Sequence, residues 1–286
     1  MRIGVTTMVT DVSIDPATLG REVEAHGFDG LYVPEHTHIP ADRTTPAPMG
    51  EPLPAPYGRL YDPFVALTAA ASVTERIRLG TGVALLAERD PIATAKAVAS
   101  LDHLSGGRFT LGIGFGWNVE EMADHGVAFG QRREVTRDRL RVMRALWSPD
   151  ETSYEGTHAR VAPSWSRPKP VQSRLPVWLG AGFGPKALAF LVAECDGWIP
   201  IGGSGLTRNV PLLRAALEEA GRDPDDFPIV PFGSMPDAGK LEHFASLGIQ
   251  EVVVNMPDPS PDGARRFLEA TAATRCLLYT SPSPRD

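Results

Sequence analysis

Short apolar runs alternate with amphipathic stretches along almost the whole chain. Runs with strand character fall at 2–7, 29–34, 77–83, 108–113, 176–180, 197–201, 228–232 and 250–255. They are apolar on both faces, as strands buried in a parallel sheet must be. Between them the helical period appears at 16–26, 62–74, 91–104, 131–147, 185–194, 207–220, 238–247 and 261–274. Strict alternation of strand and helix implies an α/β protein with a parallel sheet. Eight such units imply a closed (β/α)8 barrel in a single domain. The helix punctuation agrees. Asp62-Pro63 and Asp90-Pro91 each place an N-cap before a proline at the first helical position. Gly106-Gly107 stops the third helix before the strand that starts at Arg108.

Two segments interrupt the alternation. Residues 38–61 carry Pro40, Pro46, Pro48, Pro52, Pro54 and Pro56, which exclude both helix and central strand. They predict a long loop after the second strand, able to cover a site with Tyr57 and Tyr61. Residues 148–175 form a Pro-rich insertion before the fifth strand, with a short hairpin around Tyr154-Glu155-Gly156-Thr157-His158. It lies on the helix-to-strand side and is expected to be structural. The stretch Cys276-Leu277-Leu278-Tyr279-Thr280-Ser281-Pro282-Ser283-Pro284-Arg285-Asp286 shows no period and reads as a translated sequencing adapter. The barrel domain is therefore expected over 1–275, and 276–286 as a non-native or unstructured tail.

Length and composition fit this picture. A chain of 286 residues suits a fold that needs about 250. With 42% hydrophobic and 22% charged residues it can build a sizeable core, which excludes a mostly disordered protein. The net charge of -7 excludes a nucleic-acid binder. Arg132, Arg133, Arg137, Arg139, Arg141 and Arg144 alternate with acids and read as a solvated helix face. No run approaches the ~18 apolar residues of a membrane span. The chain opens directly on Arg2-Ile3-Gly4-Val5, without the pattern of a signal peptide, so a cytoplasmic protein is expected. Cys195 and Cys276 form no disulfide framework or metal spacing, and Glu35-His36-Thr37-His38 lacks a helical HExxH arrangement. No metal site is predicted.

Sites on such barrels lie where the strands end. After the second strand, Pro34-Glu35-His36-Thr37-His38 supplies a carboxylate and imidazoles suited to proton transfer. His36 is the first candidate. Glu35 suits either that role or an ion pair with a neighbouring base, and His38 suits simple exposure. After the third strand comes Thr81-Gly82-Val83, where glycine admits a ligand or makes a tight turn. The fourth is followed by Gly114-Phe115-Gly116-Trp117-Asn118, whose glycine spacing does not match a dinucleotide fingerprint. It leaves room for a flat ring, with Asn118 as a hydrogen-bonding group. After the fifth, Gly182-Phe183-Gly184-Pro185 opens a helix whose free N–H groups suit a phosphate.

These residues carry a resemblance. The block Arg76-Ile77-Arg78-Leu79-Gly80-Thr81-Gly82-Val83, followed by Ala95-Lys96, Leu101-Asp102-His103-Leu104-Ser105-Gly106-Gly107-Arg108 and Gly112 to Trp117, resembles the bacterial luciferase-like monooxygenase superfamily. Met143-Arg144-Ala145-Leu146-Trp147 and Asp196-Gly197-Trp198 are similar to it too. The likeness points in particular to the branch that uses the deazaflavin coenzyme F-420, and it runs from Arg2 to about Arg275. It implies a barrel holding a flavin or deazaflavin across its strand ends. It implies a non-prolyl cis peptide at Gly82–Val83 behind the ring. Thr81, Gly82, Val83, Gly114, Phe115 and Asn118 match positions near the ring or its side chain. Gly182, Phe183 and Gly184 match the phosphate turn, and His36 with Glu35 matches the reactive face. Phe115 stands where the superfamily's sugar-phosphate dehydrogenases carry a catalytic acid, which argues against a sugar-phosphate substrate. The implied activity is hydride transfer between reduced coenzyme F-420 and a small organic substrate. An FMN-dependent monooxygenase using O2 and a non-catalytic flavin-binding barrel are the alternatives. A homodimer is expected, as in similar proteins.

Overall fold

The computed structural model describes residues 1–234 and 238–280. Its strands are β1 (Arg2–Thr6), β2 (Gly30–Val33), β3 (Arg78–Thr81), β4 (Phe109–Gly114), β5 (Thr152–Glu155), β6 (Arg160–Ser164), β7 (Val177–Gly180), β8 (Gly197–Ile199), β9 (Phe232–Ser234) and β10 (Glu251–Asn255). Eight of them form one sheet in the order β8-β7-β4-β3-β2-β1-β10-β9, every pair parallel. The two ends of that order meet. Trp198 N donates to Pro228 O, Val230 N to Trp198 O, and Phe232 N to Pro200 O, so the barrel is nearly closed. The expected seventh strand at 228–232 becomes regular only from Phe232. Pro228 and Pro231 have no N–H to give, so they enter the wall through their carbonyls, which accept from Trp198 N and Val253 N.

The helices are α1 (Pro16–Ala25), α2 (Pro63–Ala71), α3 (Pro91–Leu104), α4 (Val119–Asp124), α5 (Arg132–Trp147), α6 (Pro185–Glu194), α7 (Leu206–Glu219), α8 (Ala238–Ser246) and α9 (Pro261–Thr280). Both Asp-Pro starts behave as predicted. Asp62 accepts from Phe64 N and Val65 N, and Asp90 accepts from Ala93 N. α9 runs on to Thr280, so residues 276–280 continue a helix where an irregular tail was expected. Leu277, Leu278 and Tyr279 extend a helix already nucleated, and the first breaker is Pro282. Residues 281–286 lie outside the described residues. No helix among the described residues is long and apolar enough to cross a membrane.

Large aromatics fill the barrel interior where glycines make room. Tyr32 and Trp178 stack with ring centroids 6.4 Å apart, and Phe232 meets Tyr32 edge-on at 5.9 Å. A Cβ on Gly80 would lie 2.5 Å from the Tyr32 ring, and one on Gly197 2.5 Å from Trp178. The Tyr32 hydroxyl donates to the buried Glu251 at 2.7 Å, which also holds Arg78 and Arg2. This satisfied network anchors the lower end of the barrel. The insertion is a β5–β6 hairpin, as expected. Asp138 of α5 accepts from Tyr154 and His158 N, and Asp102 of α3 accepts from Val171 N and Gln172, so the insertion is pinned to the helical layer.

Candidate functional site

The loop after β2 carries two acidic–basic pairs with different roles. Glu35 is buried; it accepts from Leu85 N at 2.7 Å and is held by Arg89. Arg89 in turn reaches the Asp62 cap of α2 and lies over the Phe64 ring. Both Glu35 oxygens are thus committed to fastening the loop. Of the two readings of Glu35, a proton-transfer group or one of an ion pair, the contacts are those of the ion pair.

His36 is differently placed. Its Nδ1 is 2.6 Å from Glu121 Oε2, and Trp117 Nε1 donates to its Nε2 at 3.2 Å. An indole can only donate, so Nε2 carries the lone pair and Nδ1–H faces the carboxylate. Tyr57 and Trp117 flank the ring at 5.3 and 5.5 Å, leaving the side chain 7% exposed. Glu121 also accepts from Thr37 N at 2.9 Å. Burial pushes the Glu121 carboxyl up, but the hydrogen bond and charge of His36 and the Thr37 amide pull it further, to below its ordinary value.

Beside it sits Glu88, buried, with neither carboxyl oxygen reached by a donor among the described residues. Burial, then the charges of Glu121 and Glu35, push its pKa up to about 9. Glu88 therefore holds its proton far above the usual carboxylate range, since two carboxylates side by side in a buried site could not both ionise. Sequence reasoning missed this pair. A signal existed for one of them. Asn118 followed three residues later by Glu121 is a capping-box spacing, and Asn118 Oδ1 does accept from Glu121 N at 3.4 Å. The Glu121 side chain turns to His36 instead of back to the cap.

The loop 38–61 folds over this cluster as predicted, irregular except for a 3-10 turn at Ala55–Arg59. Tyr57 is buried against His36, whereas Tyr61 is 41% exposed. Glu120 of α4 fastens the loop, accepting from Thr44 N and Oγ1 at 2.8 and 2.7 Å and from Thr45 Oγ1 at 2.6 Å. Those donors hold its carboxyl at about 2.

At the ends of β3, β4 and β7 the picture is of cleared space. The Gly82–Val83 peptide is cis. Val83 lies between two glycines paired in register, Gly114 and Gly180. A Cβ on either would stand 2.5 Å from a Val83 methyl, and one on Gly82 would strike Phe232. Thr81 departs from expectation. It is fully buried and its hydroxyl donates to Gly112 O at 2.6 Å, so it offers no free group to a ligand. Phe115 departs as well. Its ring packs edge-on against Phe190 at 5.0 Å, under Arg133, turned into the core. Asn118 Nδ2 is buried without a partner. Gly182 and Gly184 face open space, and α6 starts at Gly184 with no side-chain cap. Phe183 lies against Trp198 at 5.3 Å. His36, Thr81, Asn118 and Gly182 follow or end four strands of one parallel barrel, and so share one rim.

Comparison with known proteins agrees with this architecture. The model of the family described as luciferase-like monooxygenase matches residues 6–235. An uncharacterized protein of Mycobacterium tuberculosis is 44% identical over 278 residues, covering 96% of this chain and 98% of its own. An F-420-dependent glucose-6-phosphate dehydrogenase of Kineococcus radiotolerans is 30% identical over 213 residues, covering 70% of this chain and 57% of that protein. Among solved structures, a monooxygenase from Streptomyces bottropensis superposes with a TM-score of 0.79 at 18% identity, covering 98% of this chain and 100% of the other. An F-420-dependent secondary alcohol dehydrogenase in complex with an F-420-acetone adduct superposes at 0.73 and 18%, covering 94% and 97%. The structural likenesses establish the fold, and the sequence match establishes the lineage: the chain belongs to the luciferase-like monooxygenase family of oxidoreductases.

Proposed function

We propose that the protein exchanges hydride between the deazaflavin coenzyme F-420 and a small organic substrate at the C-terminal rim of the barrel. The observation that carries this reading is the shelf formed by Val83 between Gly114 and Gly180, with His36 and its Glu121 partner on the same rim. The residues present fit such a ligand. The glycines clear a flat apolar surface for a ring, the uncapped start of α6 offers N–H groups to a phosphate, and Asn118 Nδ2 is an unused buried donor. The F-420-dependent names of relatives support the same coenzyme.

When bound, the coenzyme would supply hydride chemistry, and the protein binding, orientation and electrostatics. Val83, Gly114 and Gly180 would seat the ring, and Gly182 to Gly184 the phosphate. His36 Nε2 would take or return a proton, its ring held in one tautomer by Glu121. Tyr57 and the fastened loop would exclude water. Phe115, turned inward, leaves that position without an acid, which favours an apolar substrate over a sugar phosphate.

The competing reading is an FMN-dependent monooxygenase, favoured by the solved monooxygenase of the same fold. Titrating the purified protein with F-420 and with FMN, followed by absorbance, separates the two. Tight binding of FMN alone would reject our reading. Gly184→Asp should weaken binding of the preferred coenzyme about tenfold or more, by placing a negative charge at the helix start. Gly184 sits in open space, so melting of the free protein should not change. Unchanged affinity would put the phosphate elsewhere.

A further inference from the structure

We propose that Thr37, His38 and His125 form a proton relay connecting the buried His36–Glu121 pair to solvent beneath the fastened loop. The proposal rests on the reading above that His36 gains and loses a proton. The contacts are continuous. His36 Nδ1 lies 2.6 Å from Glu121 Oε2, and Glu121 Oε1 lies 3.4 Å from Thr37 Oγ1. Thr37 Oγ1 is 2.8 Å from His125 Nε2 and 2.9 Å from His38 Nδ1. His38 Nε2 is 2.9 Å from Asp124 Oδ2. Exposure rises along the way, from 7% and 0% for His36 and Glu121 to 42% and 61% for His38 and Asp124.

Every link is an imidazole, a carboxyl or a hydroxyl, and each of these can both accept and give a proton. A network serving only to hold the loop would not need this. Glu120 already does that work with four contacts from Thr44 and Thr45. With Tyr57 and Trp117 against its ring, His36 has little contact with water. A proton taken up at Nε2 needs another exit.

The transfer balances. As Nε2 gains a proton in place of its hydrogen bond from Trp117, whose indole must swing away from it, Nδ1 gives one to Glu121 Oε2, leaving His36 neutral as its other tautomer. Rotation of the Glu121 carboxyl presents that proton to Thr37 Oγ1, whose own proton passes to His125 Nε2 or His38 Nδ1. From there it leaves to water, and Glu121 is a carboxylate again. The titratable groups facing this path are Glu35, Glu88, Arg89 and Arg139, with Asp124 at its outer end. Burial, then the neighbouring His38, hold His125 below its ordinary value.

Thr37→Val keeps the side chain's shape and removes the hydroxyl. The probe is the exchange rate of the His36 Nδ1 proton with water, measured by NMR on coenzyme-free protein with 15N-labelled histidine and assigned with His36→Asn. Exchange should slow about tenfold or more in Thr37→Val and recover in Thr37→Ser. Unchanged exchange in a Thr37→Val protein that melts normally would overturn the relay. Should that variant melt early, the His38→Phe, His125→Phe double variant takes its place, with the same slowing expected and its absence equally fatal. With F-420 bound, Thr37→Val should lower kcat and leave KM unchanged. Failure of the native protein to bind F-420 would sink the functional reading, while the exchange rates would still decide the relay.

Discussion

Glu88→Gln is expected to make the protein more stable at pH 7. Most substitutions of a buried side chain do the opposite. In the folded protein Glu88 keeps its proton up to about pH 9, against an ordinary value of 4.5. Between those two values the folded state binds more protons than the unfolded one, so stability falls as pH rises through the window. At about 1.36 kcal/mol per pH unit, the cost by pH 7 is on the order of 3 kcal/mol. Glutamine has nearly the same shape and cannot ionise. The variant should melt roughly 5 °C higher at pH 7, and the advantage should vanish near pH 5. Melting curves of both proteins from pH 5 to 8 provide the measurement. A variant that melts lower throughout, with a parallel pH profile, would mean that Glu88 is ionised and usefully paired in the native protein.

The same carboxyl bears on the chemistry. With Glu88 neutral, the His36–Glu121 pair carries a single negative charge, held by the His36 ring and the Thr37 amide. An ionised Glu88 would place a second charge beside Glu121.

Much of this molecule is legible in its sequence. The alternation of runs gives the barrel, the Asp-Pro pairs give two helix starts, and the prolines of 38–61 give the covering loop. The cis bond at Gly82–Val83 came from family likeness; no local pattern announces it. What stayed hidden has a common cause. Motifs identify residues at a strand end but do not say which way each side chain turns. Gly114 and Phe115 are neighbours, yet successive positions of an extended chain face opposite sides. One opens toward Val83 and the other packs on Phe190. Thr81 turns to the neighbouring strand by the same alternation. α4 escaped because six residues are too few to show a helical period, and with it went Glu121. Glu88 escaped because a lone acid among apolar residues carries no periodic signal; only the meeting of three separate segments makes its position unusual.

Gly112→Ala should be among the most damaging single-methyl additions this barrel can receive. A Cβ there would stand 2.0 Å from the carbonyl oxygen of Thr81 and 3.0 Å from Ile199 Cδ1. The isoleucine methyl can rotate away. The carbonyl cannot, because it belongs to the β3 backbone just before the Gly82–Val83 peptide. That backbone is tied to β4 through Gly112 itself, whose own carbonyl accepts from Thr81 Oγ1 at 2.6 Å and from Ala84 N at 2.8 Å. Separating the strands to admit the methyl would stretch both bonds in a buried wall. Overpacking of this kind costs about 3 kcal/mol where backbone must move, and the melting temperature should fall by roughly 5 °C. Gly182→Ala is the control. Nothing lies within 4 Å of a Cβ at that position, and the change should stay within about 0.5 kcal/mol of native. Equal melting of the two variants would show that β3 and β4 do not approach this closely at Gly112. The shelf at Val83 would then lose its footing, since its position relative to Gly114 depends on that same contact.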